Sequence, residues 1–179
     1  MNLFKKAIPA FMLLLPLFSM AQSEEELIKW SDSRKLQWKD YLSEPDNNSD
    51  AAASTSTRIG FEYHIRDNNL TYTLSCNFSK TKSWGRHKNA YILSHEQGHF
   101  DIAEIFTRKL AKVLSEYKFK SSSYKNDLKK IYTDTMQDKE KFQQRYDNET
   151  DYSRNDEKQK EWLKKIKEDL SDLKEFADY

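Results

Sequence analysis

His95 and His99 stand four residues apart within Asn89–Tyr117, a stretch with no proline and a single glycine, Gly98. No other feature constrains the fold as much. An uninterrupted run of this length reads as one long α-helix, with Tyr91, Ile92, His95, His99, Ala103, Phe106 and Leu110 recurring on one face. The rest of the chain has to cover that apolar face. Each helical residue turns the chain by about 100°, so positions four apart lie roughly 40° from each other. Both imidazoles therefore share the buried face and can reach a common point.

The residues between them give the pair a chemistry. His95-Glu96-Gln97-Gly98-His99 has the form His-Glu-x-x-His, in which two imidazoles hold a zinc ion and the glutamate serves as general base. Glu96 lies on a neighbouring part of the helix surface, where it can touch a water on the metal without ligating the metal. Zinc lowers the pKa of such a water toward neutrality, and the glutamate takes its proton. The candidates are His95 and His99 as ligands of Zn2+ and Glu96 as catalytic base. The bland alternative is a pair of hydrogen-bonded core histidines. With only four histidines in 179 residues, the pattern arises by chance in roughly one such chain in a hundred. Glycine costs a helix interior about 1 kcal/mol relative to alanine, so Gly98 predicts close approach of a strand or a substrate at that point.

Residues 1–21 read as a secretory signal peptide. Lys5 and Lys6 give a basic start, Ile8 to Phe18 an apolar core broken by Pro9 and Pro16, and Ser19-Met20-Ala21 a small-x-small cleavage site before Gln22. The apolar run is too short and too proline-broken for a membrane span. Cleavage removes two lysines and no acid, which moves the formal charge from +1 to −1. That balance argues against nucleic acid as a partner. The expectation is an exported protein, periplasmic or secreted, without stable membrane insertion, and residues 22–179 suffice for one domain with one core. A single cysteine, Cys76, excludes an internal disulfide. It shares a strand-like run with Leu74 and Phe78 and reads as a small buried apolar residue.

Along the remaining chain, Gln22 to Ile28 is acidic and reads as loosely ordered at its start. Leu36, Trp38 and Tyr41 suggest a short strand or turn, Glu44 to Asp50 a loop, and Ala51 to Thr57 a loop or edge approach. Ile59, Phe61, Tyr63 and Ile65 alternate with polar neighbours, Asp67-Asn68-Asn69 turns, and Leu70, Tyr72, Leu74, Cys76 and Phe78 alternate again, which predicts a β-hairpin. From Lys88 onward the chain reads as helical. The first helix ends near Lys120, a second spans about Tyr124 to Arg145, and an acidic break follows over Asp147 to Asp151. A third, highly charged helix spans about Asp156 to Phe176, with Trp162, Ile166, Leu170 and Leu173 as its apolar stripe. The fold class is α+β: a small antiparallel sheet packed on the histidine helix, with two further C-terminal helices.

A catalytic zinc takes three protein ligands and a water. Glu104 lies nine residues past His95 and points to roughly the opposite side of the helix, which makes it a supporting residue or a surface ion pair and not a ligand. The acidic break supplies the alternatives, Asp147 first, then Asp151 and Glu149. His64 and His87 read as surface histidines. Tyr152 is a candidate donor to a developing oxyanion.

Several segments together resemble a known family: Trp30 with Arg34-Lys35-Leu36-Gln37-Trp38-Lys39-Asp40-Tyr41, then Lys82-Ser83-Trp84, then Leu93 to Glu104, then Tyr146-Asp147-x-x-Thr150. The resemblance is to the bacterial secreted family called domain of unknown function 922, described as predicted zinc-dependent proteases, and it spans nearly all of the chain after the leader. It implies an exported, zincin-like protein. In the family pattern a histidine follows Tyr-Asp-x-x-Thr-x, where this chain has Tyr152. If that histidine is the family's third ligand, the resemblance implies that this chain relies on Asp147, uses Tyr152 weakly, or binds metal poorly.

The resulting expectation is an exported zinc metallopeptidase acting on a peptide or protein substrate, with the sheet's edge strand aligning an extended chain. A zincin-like envelope protein that binds a partner without turnover is the alternative. Hydrolysis of a non-peptide bond is a third reading.

Overall fold

Asn89 sets where the long helix begins. Its side-chain oxygen accepts the Ile92 amide at 2.9 Å, the bond by which an N-cap satisfies an otherwise orphaned donor. The helix that follows, α1, spans Ala90–Glu116. Residues 26–179 are described in the computed structural model, and the leader expected over residues 1–21 lies outside them. α1 is buried far beyond the stripe its periodicity suggested. Every residue from Ile102 to Arg108 is buried, the mark of a helix packed on all sides. Tyr91, expected on the covered face, is instead 37% exposed in the first turn.

The hairpin forms as the alternation dictates. β3 (Thr57–Arg66) and β4 (Asn69–Ser79) pair antiparallel from Arg66↔Asn69 to Thr57↔Phe78. The turn is tighter than expected: Asp67 and Asn68 alone make it, at φ 51° and 61°, a conformation that Asn and Asp tolerate and that matches the twist of the strands. Ile59, Leu74, Cys76 and Phe78 face inward and are buried. Leu27–Lys29 forms β1 on the free edge of β4, with Ile28 opposite Phe78, while the start of the acidic segment, expected to be loose, lies outside the described residues. Three residues carry too little alternation to announce a strand, and the pairing comes from the waiting edge. Ala53–Ser54 (β2) and Trp84–Gly85 (β5) form a separate two-stranded ribbon.

Trp38–Asp40 is a 3-10 turn. The Asp40 carboxylate accepts from the Gln37 amide (2.9 Å) and from Arg34 (3.0 Å), which makes this segment the turn and not the strand of the two forms that Leu36, Trp38 and Tyr41 suggested. α2 spans Tyr124–Glu149 and α3 Asp156–Asp172, with a 3-10 turn at Lys174–Phe176. α2 thus continues past Arg145 into the expected break, so Asp147 lies in a helical turn. The end is closed by Thr150, whose amide and hydroxyl both donate to the Tyr146 carbonyl at 3.0 and 2.7 Å.

Among the described residues the architecture is α+β: three helices with a small antiparallel sheet, α1 at the centre. One core joins Ile59 and Leu74 to Leu110, Leu128, Tyr146, Trp162 and Ile166; a second joins Leu36, Tyr41, Cys76, Phe78 and Phe100. Among the described residues no helix is long and apolar enough to cross a membrane.

Candidate metal centre

α1 presents His95 and His99 toward the last turn of α2, where Asp147 meets them. His99 Nε2 lies 3.0 Å and His95 Nε2 3.2 Å from Asp147 Oδ1, and the two Nε2 atoms are 3.2 Å apart. A tetrahedral shell with bonds of about 2.0–2.1 Å has ligand-to-ligand edges of about 3.3–3.4 Å. Three nitrogen and oxygen donors at these separations therefore fit one small cation, and among the described residues this is the cluster that could hold one.

Each imidazole is held from behind by an amide. His95 Nδ1 is 2.7 Å from Gln159 Oε1 on α3, and His99 Nδ1 bonds Gln143 Oε1 on α2. The other end of each amide fixes which atom faces the ring: Gln159 Nε2 donates to the Tyr146 hydroxyl (2.7 Å) and Gln143 Nε2 to the His99 carbonyl (3.1 Å). An amide oxygen only accepts, so both Nδ1 atoms carry a proton, and each Nε2 faces the centre, where it donates to Asp147 when protonated and offers its lone pair to a cation when neutral. Burial by itself lowers the pKa of His99, but the bond to the Asp147 carboxylate and its charge outweigh burial and lift it to about 9. Burial likewise raises Asp147, and the bonds from His95 and His99 overcome it and hold that carboxyl well below the usual range. Proton and metal compete for the same lone pairs.

Tyr146 explains Gly98. Its fully buried ring stacks on His95 (4.5 Å between centroids, 19° between planes) and its hydroxyl donates to the His95 carbonyl at 3.2 Å. A Cβ at position 98 would lie 2.4 Å from the Tyr146 oxygen and 2.9 Å from Cζ. The close approach expected there comes from this ring on α2, and not from a strand or a substrate. Gly98→Ala is expected to lower stability by about 1–3 kcal/mol through overpacking, despite the better helix propensity of alanine. It should also weaken metal binding, because Tyr146 adjoins Asp147. Thermal melting and a metal titration read both effects, and unchanged metal affinity would detach the ring from the site.

The rest of the motif is structural. Gln97 Oε1 accepts the Leu36 amide (2.8 Å), and Asp101 accepts from Gln97 (2.7 Å) and from Trp30 (2.8 Å), which ties the N-terminal segment to α1. Glu104 is 1% exposed and not a surface pair: Arg108 Nε donates to it at 2.8 Å and the Tyr179 hydroxyl at 2.5 Å. The C-terminal segment covers the side of α1 that a simple amphipathic pattern leaves to solvent.

Glu96 is buried, and its Oε2 has no hydrogen-bond partner among the described residues. Its charge, after burial itself, raises both Tyr41 and Tyr146. A cavity of about 1210 Å³ opens beside it, with His95, Glu96, His99 and Asp147 on one wall and Ala53, Ser54 and Thr55 on another. Tyr152, 55% exposed, also lines this cavity. It sits within three consecutive left-handed residues, Asp151, Tyr152 and Ser153 (φ 47°, 52° and 70°), strain of the kind found around functional sites. Asp151 and Glu149 stay outside the cluster: Asp151 pairs with Arg154 (3.4 Å), and Glu149 accepts from Trp162 (2.8 Å). His64 and His87 are exposed and outside it, although His87 reaches the cavity wall.

Sequence reasoning missed Gln143, Gln159 and the role of Tyr146. The four-residue step from Gln143 to Asp147 could have placed Gln143 on the same helix face. Gln159 had no signal, since it lies in a segment that reads as a solvated face.

No curated protein and no solved structure matches the chain. Residues 33–153, which hold both histidines, Glu96, Gln143 and Asp147, match the model of a bacterial family of unknown function, DUF922, and the chain belongs to that family.

Proposed function

We propose that this protein is an exported, zincin-like, zinc-dependent peptidase. The observation that carries the reading is the buried Glu96 carboxylate, whose Oε2, without a partner among the described residues, adjoins three convergent donors at the wall of a large cavity. Two imidazoles and one carboxylate at tetrahedral edge lengths suit zinc. When bound, the cation supplies Lewis acidity, making a water acidic and polarising a carbonyl. Glu96 takes the proton from the attacking water and passes it to the leaving amine. Gln143 and Gln159 keep the imidazoles in the tautomer that leaves Nε2 free. With Asp147 as third ligand, the site does not depend on a histidine at position 152. Tyr152, on the wall of the same cavity, donates to the oxygen that gathers negative charge, a contribution of a few kcal/mol in comparable sites.

Export rests on the basic, apolar and small-residue succession of residues 1–21. The edge of β3 supports a peptide as substrate. Tyr132 donates to the Ile59 carbonyl at 2.9 Å, so this carbonyl points away from β4, and by strand alternation so do the polar groups of Thr57 and Phe61, which can pair with an extended chain.

Elemental analysis of residues 22–179 beside a His99→Ala variant tests the reading. One zinc per chain, lost in the variant, is expected, together with hydrolysis of unstructured peptides. A wild-type protein that takes up no zinc after incubation with the metal would overturn the proposal.

A further inference from the structure

The large cavity adjoins a smaller one of about 400 Å³ that lies between the outer edge of β3 (Thr57 to Phe61) and Tyr132 and Met136 of α2. Two residues belong to both walls, Thr57 and Lys139. Lys139, Gln143 and Asp147 follow one another at four-residue steps, so they share a face of α2. The ammonium group therefore stands on the helix face that carries the metal-site residues, its Cα about 12 Å along the axis from that of Asp147.

Lys139 is underused for a cation in such a place. Its side chain is 16% exposed, and its one ion pair among the described residues is with Glu140 at 3.9 Å, the outer limit of such a contact. Glu140 is the adjacent residue, 63% exposed, and neighbours in sequence do not face each other on a helix. A lysine that is mostly withdrawn from water and lacks a hydrogen-bonded anion gains from a ligand that supplies one. The other charged groups of the cavity wall do not compensate it. Arg154 pairs with Asp151, Glu96 and Asp147 belong to the metal end, and Asp50 is exposed and makes no ion pair among the described residues.

Resting on the peptidase reading, we propose that Lys139 is the specificity residue of the cleft and binds a carboxylate of the substrate. An extended chain advances about 3.3–3.4 Å per residue, so the carboxylate lies within about four residues of the scissile bond. Its source is an acidic side chain or the free C-terminus of the peptide.

The test measures binding, not turnover. Fluorescein-labelled octapeptides of alanine and serine, each with one Glu at a successive position, are titrated by anisotropy into zinc-loaded Glu96→Gln protein. Gln analogues and C-terminally amidated copies run beside them. A Glu at one position should bind about five- to tenfold tighter than Gln if the side chain is read. A free terminus should show the same advantage over the amide if the terminus is read. Adding Lys139→Ala should remove the preference, Lys139→Arg should retain part of it, and Lys139→Glu should favour Lys at the same position. Peptides that bind without charge preference, or a preference that survives Lys139→Ala, would overturn the role of Lys139 alone. Failure of every peptide to bind would overturn the peptidase reading and the role of Lys139 with it.

Discussion

Glu96→Gln is expected to abolish peptide hydrolysis while leaving the metal in place. The amide has nearly the same shape, so packing around this buried position is preserved, but it cannot accept the proton of an attacking water. General-base catalysis contributes about 10²–10⁴ in rate, and a loss of that size is the expected result. Zinc content should stay unchanged, because His95, His99 and Asp147 supply the ligands. Stability should hold or rise slightly, since the change replaces a buried carboxylate with a neutral amide, which is less costly to withdraw from water. Initial rates on an unstructured peptide, together with elemental analysis of the same preparations, read both quantities. A rate within twofold of the unmodified protein would rule out Glu96 as the base. No hydrolysis by either protein, with zinc bound in both, would favour the second reading, a metal-binding envelope protein that recognises a partner without turnover.

Glu104→Ala should produce the largest loss of stability. Glu104 and Arg108 form a buried pair, 1% and 6% exposed. Arg108 further donates to the Leu170 carbonyl at 2.7 Å and lies over the Trp30 ring at 5.1 Å. Removing the carboxylate leaves the guanidinium buried without its counter-charge, which costs about 3–5 kcal/mol. For a domain of this size that corresponds to a fall in Tm of roughly 10 °C. Glu104→Gln keeps an acceptor for Arg108 and should fall by less. Both variants should bind zinc as the unmodified protein does once folded, because Glu104 lies on the far side of α1 from the histidines. Circular dichroism melting curves measure the shift, and a fall below 2 °C for Glu104→Ala would mean that water reaches Arg108.

Much of the candidate site could be read from local pattern. A breaker-free run fixes a long helix, four-residue spacing places His95 and His99 on one face, and alternation fixes the Thr57–Ser79 hairpin. These readings work because helical and strand periodicities are properties of the backbone, felt within a few residues. The same local logic misjudged the end of α2. Asp147, Asn148 and Thr150 favour turns in isolation, yet the helix continues because Tyr146 is locked between Gly98, His95 and Gln159 and Thr150 caps the end. The surface position allowed for Glu104 fails for a related reason. A pattern of apolar residues reports one covered face, and it cannot report that Arg108 and the hydroxyl of Tyr179 close over the other.

The sequence by itself determined the histidine helix, the glutamate beside the pair and the hairpin that packs on it, because each of these is specified by neighbours in the chain. Only the tertiary structure decided which acid meets the histidines, which amides orient their rings, why position 98 is glycine and where a mostly buried lysine lines the cleft. Gln143, Asp147 and Gln159 lie 44, 52 and 64 residues from the histidine each contacts. Contacts over such separations follow from how the three helices pack, and no short-range periodicity encodes them.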